Sequence, residues 1–194
     1  MRSGKTHGRK TNNAEKIADS LSDLAWNYKE LGIFDKALVF GEEALMVAKQ
    51  TFSKSHPLVA KCQSNLANVY QALGRYDEAA DLLEMALASD LQNFGKDHPT
   101  VAVNHSNLAS VYLELDRYDS AAALLETALA SNTQNFGKDH PTVAICQNNL
   151  AFVYYQTGHT AEAKTLWKSA YENYLKNLGA AHPHTIQLKE HAAM

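Results

Sequence analysis

Histidine is the residue whose number and spacing in this chain most invite a chemical interpretation. Nine histidines are present, and an imidazole can ligate a metal ion or transfer a proton near neutral pH. Four of them precede a proline and follow one another at equal intervals, at His56, His98, His140 and His182. His182, His184 and His191 form the one local cluster in the sequence, without a cysteine or acidic residue at metal-ligand spacing beside them. We therefore predict no metal site and no cofactor, and we interpret the His-Pro pairs as helix starts.

Other reactive residues lack the neighbours that their chemistry would require. Cys62 and Cys146 are separated by two of the intervals that separate the His-Pro pairs, too far apart for us to expect a disulfide, and are interpreted as reduced packing residues. The segment SGKTHG at residues 3–8 matches the end of a phosphate-binding loop, but it has neither a preceding strand nor the required earlier glycine. No serine, cysteine or carboxylate has a recognisable base and orienting partner. The sequence therefore predicts no catalytic residue and no enzyme.

Charge is unevenly distributed along the 194 residues, whose formal net charge is −3. Residues 1–16 carry five basic side chains and one acidic side chain, whereas residues 17–194 carry 13 basic and 20 acidic side chains. An acidic body disfavours binding to nucleic acid, because phosphate binding needs a concentrated basic surface. No apolar run is long enough to span a membrane, and the first thirty residues lack the apolar segment of a signal peptide. We expect a cytoplasmic protein that binds neither nucleic acid nor membrane.

A 42-residue period organises the chain. The run NFGKDHPTVA occurs at residues 93–102 and again, unchanged, at residues 135–144. Leucine, alanine and tyrosine recur with the same period from Leu24, Ala25 and Tyr28. These matches predict a single repeat domain over residues 13–194, after a basic flexible tail at residues 1–12. Its four repeats are predicted at about residues 13–55, 56–97, 98–139 and 140–181, followed by a capping helix at residues 183–194.

Each repeat is predicted to contain two helices, A and B. Proline is favoured at the first helical position because its missing N–H would be unpaired there anyway, so helix A begins at each His-Pro. A turn follows where Gly, or once Asp, can adopt a positive φ: at Gly32, Gly74, Asp116 and Gly158. Helix B then carries an apolar stripe at helical spacing, as in the second repeat at Ala79, Leu82, Leu83, Ala86 and Leu87.

The residue pattern resembles that of tetratricopeptide repeats, in particular the 42-residue repeats of kinesin light chains and of many bacterial proteins. If Ala25 is the eighth consensus position, the small residues 12 and 19 positions later are Ala37 and Ala44. The stretches GKDHPTVAVNHSNLASVY and GKDHPTVAICQNNLAFVY match the Gly-x-x-His-Pro junction and the Asn-Leu-Ala helix of that family. The resemblance implies an all-α fold: a right-handed α-solenoid of four helix-turn-helix repeats plus the C-terminal capping helix. A leucine usual in the family is Gln63, His105 and Gln147 here, so we expect a more polar inner face.

The resemblance also implies where a ligand would bind, since the A helices of such arrays line a concave groove. The position two residues before the repeating alanine holds Asp23, Asn65, Asn107 and Asn149. An amide can pair with both the N–H and the C=O of an extended peptide, so the three asparagines are predicted to form a ladder along a peptide backbone. The alternative is that they bond within the repeat or to water. Further groove residues are expected to set side-chain preference: Lys61, Asn68, Val103, Ser110, Glu114, Ile145, Phe152, Tyr155 and Gln156.

The predicted function is that of a scaffold that binds an extended segment of a partner protein. The groove offers essentially Lys29 and Lys61 as cations, so acidic chaperone tails and acidic cargo motifs fit it poorly, and we expect a neutral-to-basic, partly apolar peptide. Two alternatives stay open. The chain could be a structural solenoid that self-associates through its ends, or a regulatory module of a larger signalling complex.

Overall fold

The computed structural model describes the backbone of residues 3–193 and the side chains of residues 11–192. All regular structure in this part of the chain is helical. The chain divides into two compact units, Met1–Gly95 and Lys96–Met194. None of the described helices has the length and apolar content that a membrane-spanning helix needs.

The first unit holds two helical pairs. Its helices are α1 (Ser3–Glu30), α2 (Phe34–Thr51), α3 (Pro57–Ala72) and α4 (Tyr76–Phe94). Each helix packs on the next one along the chain, and α1 also contacts α3 directly. The A helices α1 and α3 are therefore neighbours, as the repeat interpretation requires.

The second unit repeats this arrangement and adds a ninth helix. Its helices are α5 (Pro99–Glu114), α6 (Tyr118–Phe136), α7 (Pro141–Gln156), α8 (Thr160–Leu178) and α9 (Pro183–Ala193). Again each helix packs on the next, and the A helices α5 and α7 touch. Leu188 of α9 is 2% exposed and lies in one cluster with Trp167 and Tyr174 of α8. This packing confirms that α9 shields the last B helix; Met194, the end of the predicted capping helix, lies outside the described residues.

The His-Pro pairs start helices as predicted. In α3, α5 and α7 the proline takes the first helical position. The preceding histidine is extended, and its Nδ1 accepts a hydrogen bond from the backbone N–H two residues later, for example from Thr142 to His140 at 3.2 Å. Three more histidines do the same: His56, His98 and His182. The ring thus satisfies one of the N–H groups that a helix start leaves unpaired.

Small residues allow the helices of a pair to approach closely. The alanines of the repeat pattern, including Ala25, Ala67 and Ala151, have no exposed surface. Between them lie larger apolar side chains such as Leu83 and Leu125, which are also fully buried. The turn between A and B needs a positive φ, which Asp116 adopts at 55° where the other repeats have glycine. Each of the four predicted turn residues therefore has the positive φ that the sequence predicts for it.

The first helix begins earlier than the sequence predicts. Helix α1 starts at Ser3, inside the segment 1–12 that we interpret as a flexible tail and whose Met1 and Arg2 lie outside the described residues. Asn12 and Asn13, at the boundary between the predicted tail and the predicted repeat domain, lie within this helix. No proline interrupts residues 3–30, and an asparagine alone does not stop a helix whose next turns are anchored by packing.

Candidate peptide-binding surface

The predicted groove residues of the first unit form a network of ion pairs and hydrogen bonds between α1 and α3. Lys61 Nζ of α3 lies 2.6 Å from Asp19 Oδ1 and 3.0 Å from Asp23 Oδ1 of α1. Partial burial alone would lower the pKa of the Lys61 ammonium, but the hydrogen bonds to the two carboxylates outweigh it and raise the pKa above its ordinary value. All three side chains are largely exposed, so this network contributes little to stability. Its effect is to leave Lys61 already paired.

The amide of Asn65 is also engaged within the first unit. Its Nδ2 donates a hydrogen bond of 2.8 Å to Oγ of Ser22, which is only 1% exposed. Asn68, one turn further along α3, is half-buried. The donor of Asn65 is therefore used in a hydrogen bond between the first and second repeats, rather than in one within its own repeat.

In the second unit, α5 and α7 expose apolar side chains at the predicted groove positions. Val103 and Ile145, one repeat apart, are 49% and 47% exposed. Phe152 and Tyr155 of α7 are 43% and 46% exposed, and the Tyr155 ring lies 5.5 Å from the ring of buried Trp167. Contact with Trp167 limits the rotamers that Tyr155 can adopt, while the outer edge of the Tyr155 ring stays accessible. These four side chains give the two A helices an apolar surface that the first unit lacks at the predicted groove positions.

Two amides lie on the same pair of helices. Asn107 of α5 and Asn149 of α7 are half-buried, and neither makes a side-chain hydrogen bond to another described residue. Ser110 is half-buried near the end of α5, where Glu114 is exposed, and Gln156 is exposed at the end of α7. The amides of the second unit thus differ from Asn65, whose donor is already used.

The expected polar contribution of Gln63, His105 and Gln147 to the inner face is wrong. Gln63 and His105 are 3% and 6% exposed. Gln63 Nε2 points at Met85 Sδ of α4, 3.5 Å away, and Gln147 Nε2 donates to Ser169 Oγ of α8 at 3.0 Å. Gln63 and Gln147 therefore face the B helix of the same repeat, and His105 is buried at the equivalent position. A helix with several neighbours has more than one buried face, and helical spacing alone did not tell which neighbour each face meets.

The histidine cluster at the C-terminus is held by aromatic stacking. His191 stacks on Trp167 with ring centroids 4.7 Å apart, and His184 stacks on Tyr174 at 5.7 Å. Across the described residues, no group of three or more His, Cys, Asp or Glu side chains is arranged to hold a metal ion. Cys62 and Cys146 are buried free thiols, and burial raises the pKa of Cys62 to about 11.

A recurring asparagine that was not singled out from the sequence closes the second, third and fourth repeats. Near the end of the B helix its Nδ2 donates to the backbone carbonyl of the residue just before the His-Pro of the same repeat, as from Asn135 to Asp97 at 2.7 Å. The equivalent pairs are Asn93 with Ser55 and Asn177 with Asp139. The signal was present in the sequence, since these asparagines also recur with the period of the repeat.

A shallow cleft on the B-helix side of the second unit was also missed. It has a volume of about 750 Å³ and lies between α6 and α8, above α7. Leu129, Leu150 and Leu166 form its apolar part, and Glu126 and Glu162 line it as well. The Tyr154 hydroxyl donates to Glu126 at 2.8 Å. The family resemblance implies ligand contacts on the A helices only, so the sequence predicts no binding residues on this surface.

Repeated helical pairs joined by Gly or Asp turns, with small residues at the helix contacts and exposed side chains on the A helices, define a helical-repeat protein of the scaffold type. A tetratricopeptide repeat family model matches the chain over residues 17–92, 58–134 and 100–176. The chain therefore belongs to the tetratricopeptide repeat family, and the predicted all-α solenoid of helix-turn-helix repeats is confirmed. Such repeats generally mediate binding to other proteins and are typically found in scaffolds rather than enzymes.

Solved structures agree with this assignment. A kinesin-light-chain-like protein of Podosopora anserina with nearly identical TPR-like repeats is similar to this chain, with 27% identity and a TM-score of 0.80 over 93% of this chain and 85% of that one. BtubC (BKLC) from P. vanneervenii has 27% identity and a TM-score of 0.77, over 97% and 79%. The apo form of RapI, at 16% identity and a TM-score of 0.73 over 91% and 67%, shares the fold. No curated protein matches the chain by sequence at a significant level.

Proposed function

We propose that the chain is a scaffold that holds an extended peptide segment of a partner protein, with its main contacts on α5 and α7. One observation carries the proposal: two amides without a hydrogen-bond partner among the described residues lie on the same two helices as four exposed apolar side chains. The amides are Asn107 and Asn149, and the apolar side chains are Val103, Ile145, Phe152 and Tyr155.

The amides would fix the peptide backbone. An asparagine can accept from a peptide N–H through Oδ1 and donate to a peptide C=O through Nδ2, whatever the peptide sequence. Half-buried amides on packed helices are held in place, which limits the side-chain entropy that is lost when a ligand binds. Asn107 and Asn149 occupy equivalent positions on adjacent A helices, and a helix spacing of about 10 Å matches about three residues of an extended chain, so peptide groups about three residues apart can meet the two amides.

The surrounding side chains favour a particular class of peptide. Exposed valine, isoleucine and aromatic side chains offer apolar surface whose burial contributes about 25 cal/mol per Å² before the costs of association. Among the predicted groove residues of this unit, only Glu114 is charged. The preferred peptide is therefore neutral to basic and partly apolar.

The test uses an array of synthetic peptides that vary systematically in net charge and apolar content. The wild-type chain is expected to retain neutral-to-basic peptides with apolar side chains, and Asn107→Ala/Asn149→Ala is expected to lose about tenfold or more in affinity for them, since two hydrogen bonds to the ligand are removed. Affinity is measured by fluorescence anisotropy with the best array peptide.

A matched control is Asn12→Ala/Asn13→Ala, which removes two exposed amides from α1 of the other unit. It should bind as the wild type does, and circular dichroism should show equal helicity for all three proteins. Equal affinity of the two double variants, or a uniform preference for acidic peptides, would contradict the proposal.

A further inference from the structure

The cleft between α6 and α8 is lined around Tyr154 by residues that have counterparts two repeats earlier, around Tyr70 of the first unit. The four residues at Tyr154 are Glu126, Tyr154, His159 and Glu162. Their counterparts are Glu42, Tyr70, Arg75 and Glu78. Both glutamates and the tyrosine are unchanged, and the one difference within this set is His159 in place of Arg75.

In the first unit a guanidinium lies between the tyrosine ring and a glutamate. The Cζ atom of Arg75 is 4.1 Å from the centroid of the Tyr70 ring, and Nη2 of Arg75 is 2.6 Å from Oε1 of Glu78. The Tyr70 hydroxyl donates to Glu42 Oε1 at 3.2 Å. A cation over an aromatic face is favourable, and an ion pair on its other side adds to the attraction. This set of residues therefore binds a guanidinium.

The second unit keeps the tyrosine and both glutamates without the arginine. The Tyr154 hydroxyl donates to Glu126 at 2.8 Å. The His159 ring is 5.8 Å from the Tyr154 ring, and its Nδ1 lies 3.0 Å from Thr157 Oγ1. Glu162 is exposed and forms no ion pair with any residue that the structure describes. The position that the Arg75 guanidinium takes on Tyr70 is thus left accessible on Tyr154.

The electrostatic surroundings of the two tyrosines differ in the same way. Burial raises the pKa of the Tyr154 hydroxyl, and the hydrogen bond to Glu126 and the charges of Glu126 and Glu162 raise it further. Burial and Glu42 also raise the pKa of Tyr70, but there the charge of Arg75 acts in the opposite direction. The surroundings of Tyr154 are therefore suited to an added positive charge.

Small side chains widen the cleft beside this site. Ala130 and Thr133 of α6 line it at positions where the first unit has the longer Met46 and Lys49. A neighbouring hollow of about 370 Å³ shares Glu126, Tyr154 and Glu162 with the cleft of about 750 Å³. Neither a lysine nor an arginine lines either hollow in this described part of the chain. The combined surface is acidic where the two hollows meet.

The apolar part of the cleft is also less covered than its counterpart. Leu129 and Leu166 are half-buried, whereas Leu45 and Leu82, the equivalent residues of the first unit, are 7% and 9% exposed. Leu150, at the base of the cleft, is 3% exposed. The second unit therefore presents an apolar surface next to an unpaired glutamate, and burial of that surface would favour binding.

We propose that this cleft binds an arginine side chain of a partner protein, together with an apolar side chain beside it in the partner's sequence. The guanidinium lies on the Tyr154 ring and pairs with Glu162, as Arg75 does with Tyr70 and Glu78. The apolar side chain packs against Leu129 and Leu166. Arginine is preferred to lysine, because a planar guanidinium stacks on a ring and binds a carboxylate through two N–H groups. The site goes beyond the proposed function, since it is separate from the peptide-binding surface on α5 and α7.

An NMR titration of the ¹⁵N-labelled full chain tests the proposal. The probe is an acetylated, amidated pentapeptide with a central arginine, a leucine on each side of it and alanine at both ends. The matched peptide has citrulline in place of arginine, which keeps the length and the planar end but has no charge. We expect the arginine peptide to bind about fivefold more tightly and to shift the backbone amide signals of α6 and α8 around the cleft.

His159→Arg is the decisive variant, because it lets the chain supply its own guanidinium as Arg75 does. It should abolish the preference for arginine over citrulline, and Glu162→Gln should reduce that preference. The new residue is the one that the equivalent positions hold in the second and third repeats, so the fold should be retained. Ser20→Arg is the matched control, since it adds an arginine at an exposed position of the first unit, and it should keep the preference of the wild type.

Three results would overturn the proposal. They are equal binding of the two peptides to the wild type, an unchanged preference in His159→Arg, and a loss of preference in Ser20→Arg as well, which would indicate a general effect of charge. Amide shifts confined to α5 and α7 would also overturn it while leaving the proposed function intact, because binding there depends on Asn107 and Asn149 and is insensitive to His159.

Discussion

Replacing His105 by leucine should stabilise the second unit. The imidazole is 6% exposed, and its Nδ1 is buried without a hydrogen-bond partner in the part of the chain that the structure describes. A buried polar atom without a partner costs about 1–3 kcal/mol, and a change of side-chain shape in a packed site costs up to about 1.5 kcal/mol. We therefore expect His105→Leu to raise the free energy of unfolding at pH 7 by about 0.5–2 kcal/mol.

The same substitution should remove a dependence of stability on pH. Burial lowers the pKa of His105 below its ordinary value of 6.5. The unfolded chain then binds a proton more readily than the folded chain, so the contribution of His105 to stability is complete above about pH 6.5 and is lost as the pH falls through the folded-state pKa. Leucine has no such proton, and the advantage of His105→Leu should be larger at pH 5 than at pH 7.

Urea denaturation followed by circular dichroism gives the free energy of unfolding of the wild type and of His105→Leu at pH 5 and at pH 7. Gln147→Leu is the matched control, because it occupies the equivalent position in the next repeat and does not titrate. Its effect on stability should be the same at pH 5 and pH 7, and smaller, since it also removes the hydrogen bond to Ser169. Our reasoning is refuted if His105→Leu is less stable than the wild type at pH 7, or if its advantage does not grow at pH 5.

Two further predictions concern the asparagine that closes the third repeat and the buried thiol of Cys62. Asn135→Ala removes the hydrogen bonds to the carbonyl of Asp97 and to Ser131 Oγ. This change should lower the free energy of unfolding by about 1 kcal/mol in a urea titration. Gln134→Ala, one residue away and exposed, should leave the free energy of unfolding unchanged. With a pKa of about 11, Cys62 should be alkylated by iodoacetamide at pH 8 far more slowly in the native protein than in urea, as followed by mass spectrometry of its peptide; equal rates would contradict its burial.

The local rules of the fold could be derived from the sequence because each depends on one residue and its immediate neighbours. A proline at the first helical position restricts the backbone by itself, and the histidine before it caps the helix through an atom of its own ring. A glycine turn likewise depends on its own φ. These features recur in one repeat after another, so each repeat supported the interpretation of the others.

Other features depend on which neighbouring helix a given face of a helix meets, and these could not be derived from the sequence. Helical spacing identified Gln63 and Gln147 as lying on one face, but whether that face meets the groove or the B helix depends on how the pair of helices is rotated. The pairing of Lys61 with two carboxylates and of Asn65 with Ser22 depends on side chains of another helix. These pairings were therefore not foreseen, whereas exposure at Val103 and Ile145 followed from their place on the A helices.

The asparagine near the end of α4, α6 and α8 also affects how a repeat would respond to tension along the chain. It joins the entry and the exit of the repeat, as Ser55 and Asn93 do, so a pulling force would act directly across that one hydrogen bond. Such a load opens a helical pair from its end, contact by contact, instead of shearing many contacts at once. Opening one pair releases the 38 residue steps between the two ends, which correspond to about 130 Å of extended chain.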